Sequence, residues 1–142
     1  MSSLLLLLCL PLNAAPVEPL PKTVQFNRDI RPILSENCFQ CHGPDKNQRK
    51  ADLRLDLEKG AFADLGGYRA LEPGKPTKSA LFQRITAKEA HEQMPPRKTG
   101  KKLTPRQLAL VKRWIEQGAK WQKHWSLIPP TRPKMPRVEG AR

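Results

Sequence analysis

Residues 26–45 read FNRDIRPILSENCFQCHGPD, and the five residues 38–42 within them, CFQCH, decide what the rest of the chain must build. Two thiols three residues apart lie on one side of a single backbone turn, and an imidazole follows at once. This C-x-x-C-H spacing suits haem attachment: both thiols can add to the two haem vinyl groups while the adjacent ring reaches under the iron. Cys38 and Cys41 are therefore the expected attachment points of one covalent haem c, and His42 the expected first iron ligand. Other uses of the same residues fit less well. A structural zinc site wants four ligands, and no second cysteine pair exists, leaving only His91 or His124 as distant candidates. A thioredoxin-like dithiol wants a βαβ setting, whereas a helix runs into this motif. A structural disulfide between Cys38 and Cys41 would leave His42 unexplained.

A haem iron needs a sixth ligand or an open face, and the candidate is Met94, in the run Glu92, Gln93, Met94, Pro95, Pro96. Two prolines stiffen that loop and lower the entropy cost of holding a thioether on the iron. The polar, proline-bound setting lacks the apolar periodicity of a methionine that fills a core gap. His91 and His124 are the rivals, since either would give a bis-imidazole iron of lower potential. Met135 lies in a basic, proline-rich tail and is discounted.

Working outward, Asn27 is placed to cap a first helix, with Asp29 near its positive end, Pro32 in its opening turn, and Ile30, Ile33 and Leu34 on one inward face. Leu53, Leu55 and Leu57 alternate with polar residues as in a short extended stretch, although no real sheet is expected there. A helix over about 77–87 turns Leu81, Phe82 and Ile85 inward. The clearest helix follows Thr104, which forms a capping box with Gln107. Pro105 holds its first position, Leu103 can staple to Leu108, and Gly118 stops it. Leu108, Val111, Trp114 and Ile115 share its apolar face, and Trp121 and Trp125 are expected to close the core.

The 142 residues allow one domain, and 15 prolines with only 6% aromatic residues indicate a small core in long loops. A buried porphyrin would supply apolar surface that such a chain lacks. The formal charge of +13 comes from bases scattered among acids rather than from one stripe interleaved with stacking aromatics, so nucleic acid is not an expected partner. At the start, leucines over residues 4–8 with Cys9 and Leu10 precede Pro11, Ala14 and Ala15, the layout of a secretory signal ending near residue 15. Leu8 stands where a lipoprotein signal places a small residue, so Cys9 is assigned to the signal. Membrane association is not expected after its removal. The domain plan is a signal over 1–15, a proline-rich lead over 16–23, a folded domain over 24–125 and a basic proline-rich tail over 126–142.

The blocks FNRDIRPILSENCFQCHGPD, KADLRLDLEKGAFADLGGYRALEPGKPTKSAL, MPP at Met94 to Pro96 and LTPRQLALVKRWIEQGAKWQKHW occur in an order that resembles the planctomycete-type cytochrome c domain. The resemblance implies a mostly α, class I-like cytochrome c fold, with three to five short helices and long loops wrapped around one haem. It implies that the first and last helices pack across each other, with His42 and Met94 on opposite haem faces. Members of that family usually continue into larger domains, so this chain reads as an N-terminal module whose own chemistry is electron transfer rather than bond-making catalysis. Export places it in the periplasm or an equivalent compartment. An acidic redox partner would be steered by Lys46, Arg49, Lys50, Arg97, Lys98, Lys101 and Lys102. A haem enzyme or gas sensor with an open sixth site, and a basic surface-binding module without haem, are the alternatives.

Overall fold

Trp114 sets the order in which the described residues, 19–133 in this computed structural model, close on one another. The signal, Cys9 and Met135 lie outside those residues. Trp114 belongs to α5 (Pro105–Glu116), the longest helix, and is fully buried with Val111 and Ile115 on the same face. The start of α5 is the capping box read from the sequence: the Gln107 N–H donates to Thr104 Oγ1 at 3.2 Å and the Thr104 N–H to Gln107 Oε1 at 2.8 Å. At the far end Gly118 adopts φ 93°, a left-handed conformation that glycine enters without a Cβ penalty. The chain turns there, and the Trp114 indole N–H donates to the Lys120 carbonyl at 3.0 Å.

That turn brings Trp121 back over the helix, where it stacks on Phe26 with ring centroids 3.9 Å apart, while Phe26 also meets Trp114 at 5.6 Å. Phe26 opens a π-helical turn (Phe26–Ile30) that continues into α1 (Arg31–Asn37). Pro32 explains the widened turn. Its ring crowds the carbonyl four residues back, and the Arg31 N–H reaches to the Phe26 carbonyl. Asn27 is not the cap that the sequence suggested. Burial of Phe26 starts the helical path earlier, at Gln25, whose N–H is satisfied by Asp29 Oδ2 at 2.7 Å. Asn27 instead ties this turn to the C-terminal segment, donating from Nδ2 to the Lys123 carbonyl at 2.7 Å and from its N–H to Gln122 Oε1 at 2.9 Å. The polar side of α5 holds the lead: Arg113 donates to the Leu20 and Pro21 carbonyls, and Gln117 bonds both Lys22 and Val24.

Between these ends lie α2 (Phe39–His42), α3 (Glu58–Ala61) and α4 (Ala80–Thr86). The fold is mostly α, with only isolated bridges from Arg69 to Asp64 and Ser79 among the described residues. In the leucine alternation, Leu55 is buried while Leu57 is 47% exposed. The helix expected over 77–87 is divided into a 3-10 turn (Pro76–Lys78) and α4. Ser79 causes the division. Its fully buried hydroxyl accepts from the Glu72 N–H at 2.9 Å and donates to the Lys75 carbonyl at 3.0 Å, which anchors the preceding loop instead of capping α4. Leu81 and Ile85 then face the core, with Phe82 half-buried.

Two substitutions probe this scheme by urea denaturation of the purified protein. Phe26→Ala is expected to cost about 3–5 kcal/mol, as for other aromatic side chains removed from a core. Ser79→Ala is expected to cost about 1–3 kcal/mol, because buried backbone groups lose their partner. Losses near zero would contradict the packing described.

Candidate functional site

The C-x-x-C-H residues occupy the corner where α1 breaks into α2. Cys38 leaves helical geometry at φ −123°, yet its carbonyl accepts from the N–H groups of Cys41 at 3.1 Å and His42 at 2.8 Å. One turn therefore carries both thiols and the imidazole. Neither thiol is in a disulfide, and both are half-buried. Gly43 closes the corner. A Cβ there would overlap the Phe39 carbonyl, so a larger residue would force α2 apart.

The following loop folds back onto the motif. Lys50 donates its N–H to the Cys41 carbonyl and Leu55 to the His42 carbonyl, each at 2.8 Å. In the other direction His42 Nδ1 lies 3.2 Å from the Lys50 carbonyl. A carbonyl only accepts, so this bond assigns the proton to Nδ1 and leaves the Nε2 lone pair for a metal. Burial pushes the His42 pKa down, opposed by the bond to Lys50, and favours the neutral ring that ligation needs. The return is made at Ala51 and Asp52, both left-handed at φ 54° and 48°. Arg49, read from sequence as a steering cation, instead clamps this loop: Nε donates to the Gly43 carbonyl, Nη2 to the Pro44 carbonyl, and Nη1 faces Asp52.

Met94 is held on a different set of elements. Its N–H donates to the Arg84 carbonyl in the last turn of α4 at 3.0 Å, and the Met94–Pro95 peptide is cis. It lines a cleft of about 560 Å³ whose apolar wall includes Ile85, Pro95, Leu103 and Leu108. That volume falls within the roughly 300–1,000 Å³ typical of ligand clefts. Cys38, Cys41 and His42 are not among the residues that line this cleft. The link between the cleft and the C-x-x-C-H turn is Lys101. It lines the cleft and donates from Nζ to the carbonyl of Glu36, two residues before Cys38. Sequence reading placed Lys101 among the cations flanking the two ligand segments; the bond across 65 positions to Glu36 adds a contact that spacing could not show. Neither rival histidine lines the cleft. His91 is exposed, and His124 Nδ1 is 2.7 Å from Ser126 Oγ. Among the described residues no group of three or more His, Cys, Asp and Glu side chains lies together to hold a metal ion.

These donors suit covalent haem: two thiols on one turn, a ring nitrogen kept available, and an apolar cleft nearby carrying a thioether. In comparison with known proteins, residues 38–98 match the family described as planctomycete cytochrome C, a stretch that includes the C-x-x-C-H motif and Met94 and spans less than half of the chain. No curated protein and no solved structure matches. No helix among the described residues is long and apolar enough to cross a membrane.

Two predictions concern the haem-free chain. Burial pushes the Cys38 thiol up to about 12, with Cys41 adding to the shift and Lys101 opposing it. At pH 8 only about one thiol in 10⁴ would then be ionised, so mass-mapped alkylation should modify Cys38 far more slowly in the folded chain than after unfolding; labelling at the same rate in both would contradict the raised pKa. The second concerns acid. The Arg54 guanidinium holds the Asp56 carboxyl below its ordinary 3.8 through paired hydrogen bonds of 2.7 and 2.5 Å. The unfolded chain therefore binds the proton first, and the pair's stabilisation is present above that value and lost as pH falls through the lowered pKa. Asp56→Asn should flatten that part of the acid unfolding curve.

Proposed function

We propose, from the match of residues 38–98 to the planctomycete cytochrome C family and from the geometry of the C-x-x-C-H turn, that the chain is a single-haem c-type cytochrome domain that accepts and passes one electron at a time. The observation that carries this reading is the His42 Nδ1 contact with the Lys50 carbonyl, which orients the ring and reserves Nε2. Cys38 and Cys41 hold the cofactor: each S–H adds across one vinyl group, sulfur to one carbon and hydrogen to its neighbour, so no oxidant is consumed. When bound, haem supplies a one-electron iron couple.

The remaining work belongs to the chain. His42 and Met94 would hold the iron, His42 through its free Nε2 and Met94, with its backbone pinned to α4 and lining the apolar cleft, through its thioether; a neutral sulfur ligand would favour ferrous iron and a raised potential. Ile85, Leu103 and Leu108 exclude water from that side. The class I-like arrangement is supported by the meeting of the first helical segment with the last through Phe26 and Trp114. The compartment is extracytoplasmic, consistent with the leader composition. For an acidic redox partner, Lys46, Lys50, Arg97, Lys98 and Lys102 remain exposed, whereas Arg49 and Lys101 are engaged on carbonyls.

The test is an optical spectrum of the chain exported from a host with haem-maturation machinery, taken beside Met94→Ala and His42→Ala. Haem should stay attached on denaturation, and the native ferric spectrum should be low-spin with a sulfur-to-iron band that Met94→Ala abolishes while lowering the midpoint potential. A colourless wild-type protein would overturn the haem reading. Attached haem with a high-spin spectrum unchanged by Met94→Ala would remove Met94 from the iron and favour an open-site enzyme or sensor.

A further inference from the structure

Between its two ends, the loop that aims His42 is held inward by one side chain. From Pro44 to Asp52 every residue is exposed except Arg49, so the segment that presents the Lys50 carbonyl to the ring has no apolar anchor of its own. The Arg49 side chain turns inward and is only 12% exposed. Its guanidinium spans three acceptors: Nε donates to the Gly43 carbonyl at 3.1 Å, Nη2 to the Pro44 carbonyl at 3.0 Å, and Nη1 to Asp52 Oδ1 at 3.4 Å. Gly43 and Pro44 lead the chain away from His42, and Asp52 belongs to the left-handed return that follows Lys50. One planar group thereby ties the outgoing limb of the loop to the returning one. A lysine ammonium is a point charge without that fixed fork of donors and cannot make the same span.

Lys50, the next residue, is where loop and ring meet. Its carbonyl lies 3.2 Å from His42 Nδ1 and also accepts from the Leu53 N–H at 3.2 Å. Both distances stand at the long end of the range for such bonds, so a small rotation of this peptide would carry the carbonyl off the ring. We infer that Arg49 is a positioning residue: by bracing the loop it keeps the Lys50 carbonyl on Nδ1, and through that bond it sets how strongly Nε2 donates to iron. This deepens the haem reading above and rests on it. A ring N–H that donates to a carbonyl makes the opposite nitrogen more basic, and a more basic ligand favours ferric iron.

A side chain that merely stiffened the loop would change the melting temperature and nothing at the iron. The test uses the full haem-loaded chain as wild type, Arg49→Met, Arg49→Lys and Asp45→Ala. Hydrogen exchange of the His42 Nδ1–H is followed by NMR in the ferrous state, and the midpoint potential is measured beside it. Arg49→Lys keeps the charge, so its potential carries no change in net electrostatics, and it supplies the measurement should Arg49→Met fail to fold. Asp45→Ala removes the bond from the Asn47 N–H to Asp45 Oδ1 and loosens the loop tip without touching the Arg49 bridge. Exchange should accelerate about tenfold or more in Arg49→Met, the factor for losing one hydrogen bond to a charged group. It should accelerate less in Arg49→Lys, whose midpoint potential should rise, and Asp45→Ala should change neither reading. Exchange and potential equal to wild type in both Arg49 variants, even with a lowered melting temperature, would overturn the inference and leave the haem reading standing. The same acceleration in Asp45→Ala would also overturn it, since any loosening of the loop would then suffice. A wild-type chain without haem would overturn both.

Discussion

The His42 ring meeting the Lys50 carbonyl fixes the following loop to the C-x-x-C-H turn, and much of the structure is arranged to keep that contact. Lys50 is eight residues from His42, and two further bonds, Lys50 to Cys41 and Leu55 to His42, run between the same backbone segments. The return path requires Ala51 and Asp52 in left-handed geometry, which costs roughly 1–2 kcal/mol at each residue that carries a Cβ. Strain of that size persists only where neighbours over-determine it. Here the neighbours are named: three bonds to the motif, the Arg49 clamp on Gly43 and Pro44, and Leu55 buried beyond them. The imidazole is thereby aimed by the chain alone, before any cofactor contributes.

Aiming the ring has meaning only if the corner itself is held. That task falls to the aromatic stack at the other end of α1. Phe26 sits between Trp114 and Trp121, so the π-helical turn leaves the core in one direction, and α1 delivers Cys38 to its place at the end of that path. The residues that fix the C-x-x-C-H corner therefore include ones far from it in sequence. Gln117 and Arg113 on α5 reinforce the same placement by binding carbonyls of the lead. This is also why the matched stretch, beginning at Cys38, is not the whole of the folded unit: Phe26, Trp114 and Trp121 lie outside it and are buried or half-buried together.

What was legible in the sequence was what rests on local spacing. The C-x-x-C-H turn, the Thr104 capping box and the Gly118 stop each depend on residues within a few positions and stand as read, while the inward face of α5 holds Val111, Trp114 and Ile115 as read but buries Leu110 and leaves Leu108 only partly buried. The readings that failed depend on distant partners. Asn27 looks like a cap until Phe26 is buried beneath Trp121, and Ser79 looks like an ordinary helix residue until the 72–75 loop claims its hydroxyl. Arg49 and Lys101 were read as cations flanking the C-x-x-C-H and Met94 segments; the fold adds that each donates to backbone carbonyls, which composition cannot show. For the candidate site, the C-x-x-C-H turn was legible from spacing, and Met94 was singled out by its flanking prolines. The cleft and the Lys101 crossing required the fold.

The two halves of the site differ in how they are held, and the difference has a physical consequence. The His42 side is built from hydrogen bonds spanning short stretches of chain, so its closure costs little loop entropy. The Met94 side is set by the bond from Met94 to Arg84 and by the span from Lys101 to Glu36, with an open cleft where packed atoms would otherwise lie. An apolar body filling that cleft adds most of its stabilisation on the second side, because contacts missing there are gained and those around His42 already exist. Under the proposed reading, attachment through Cys38 and Cys41 would raise the effective concentration of the cofactor at the Met94 cleft, and a fold with so small a core would gain a single packed interior by that route.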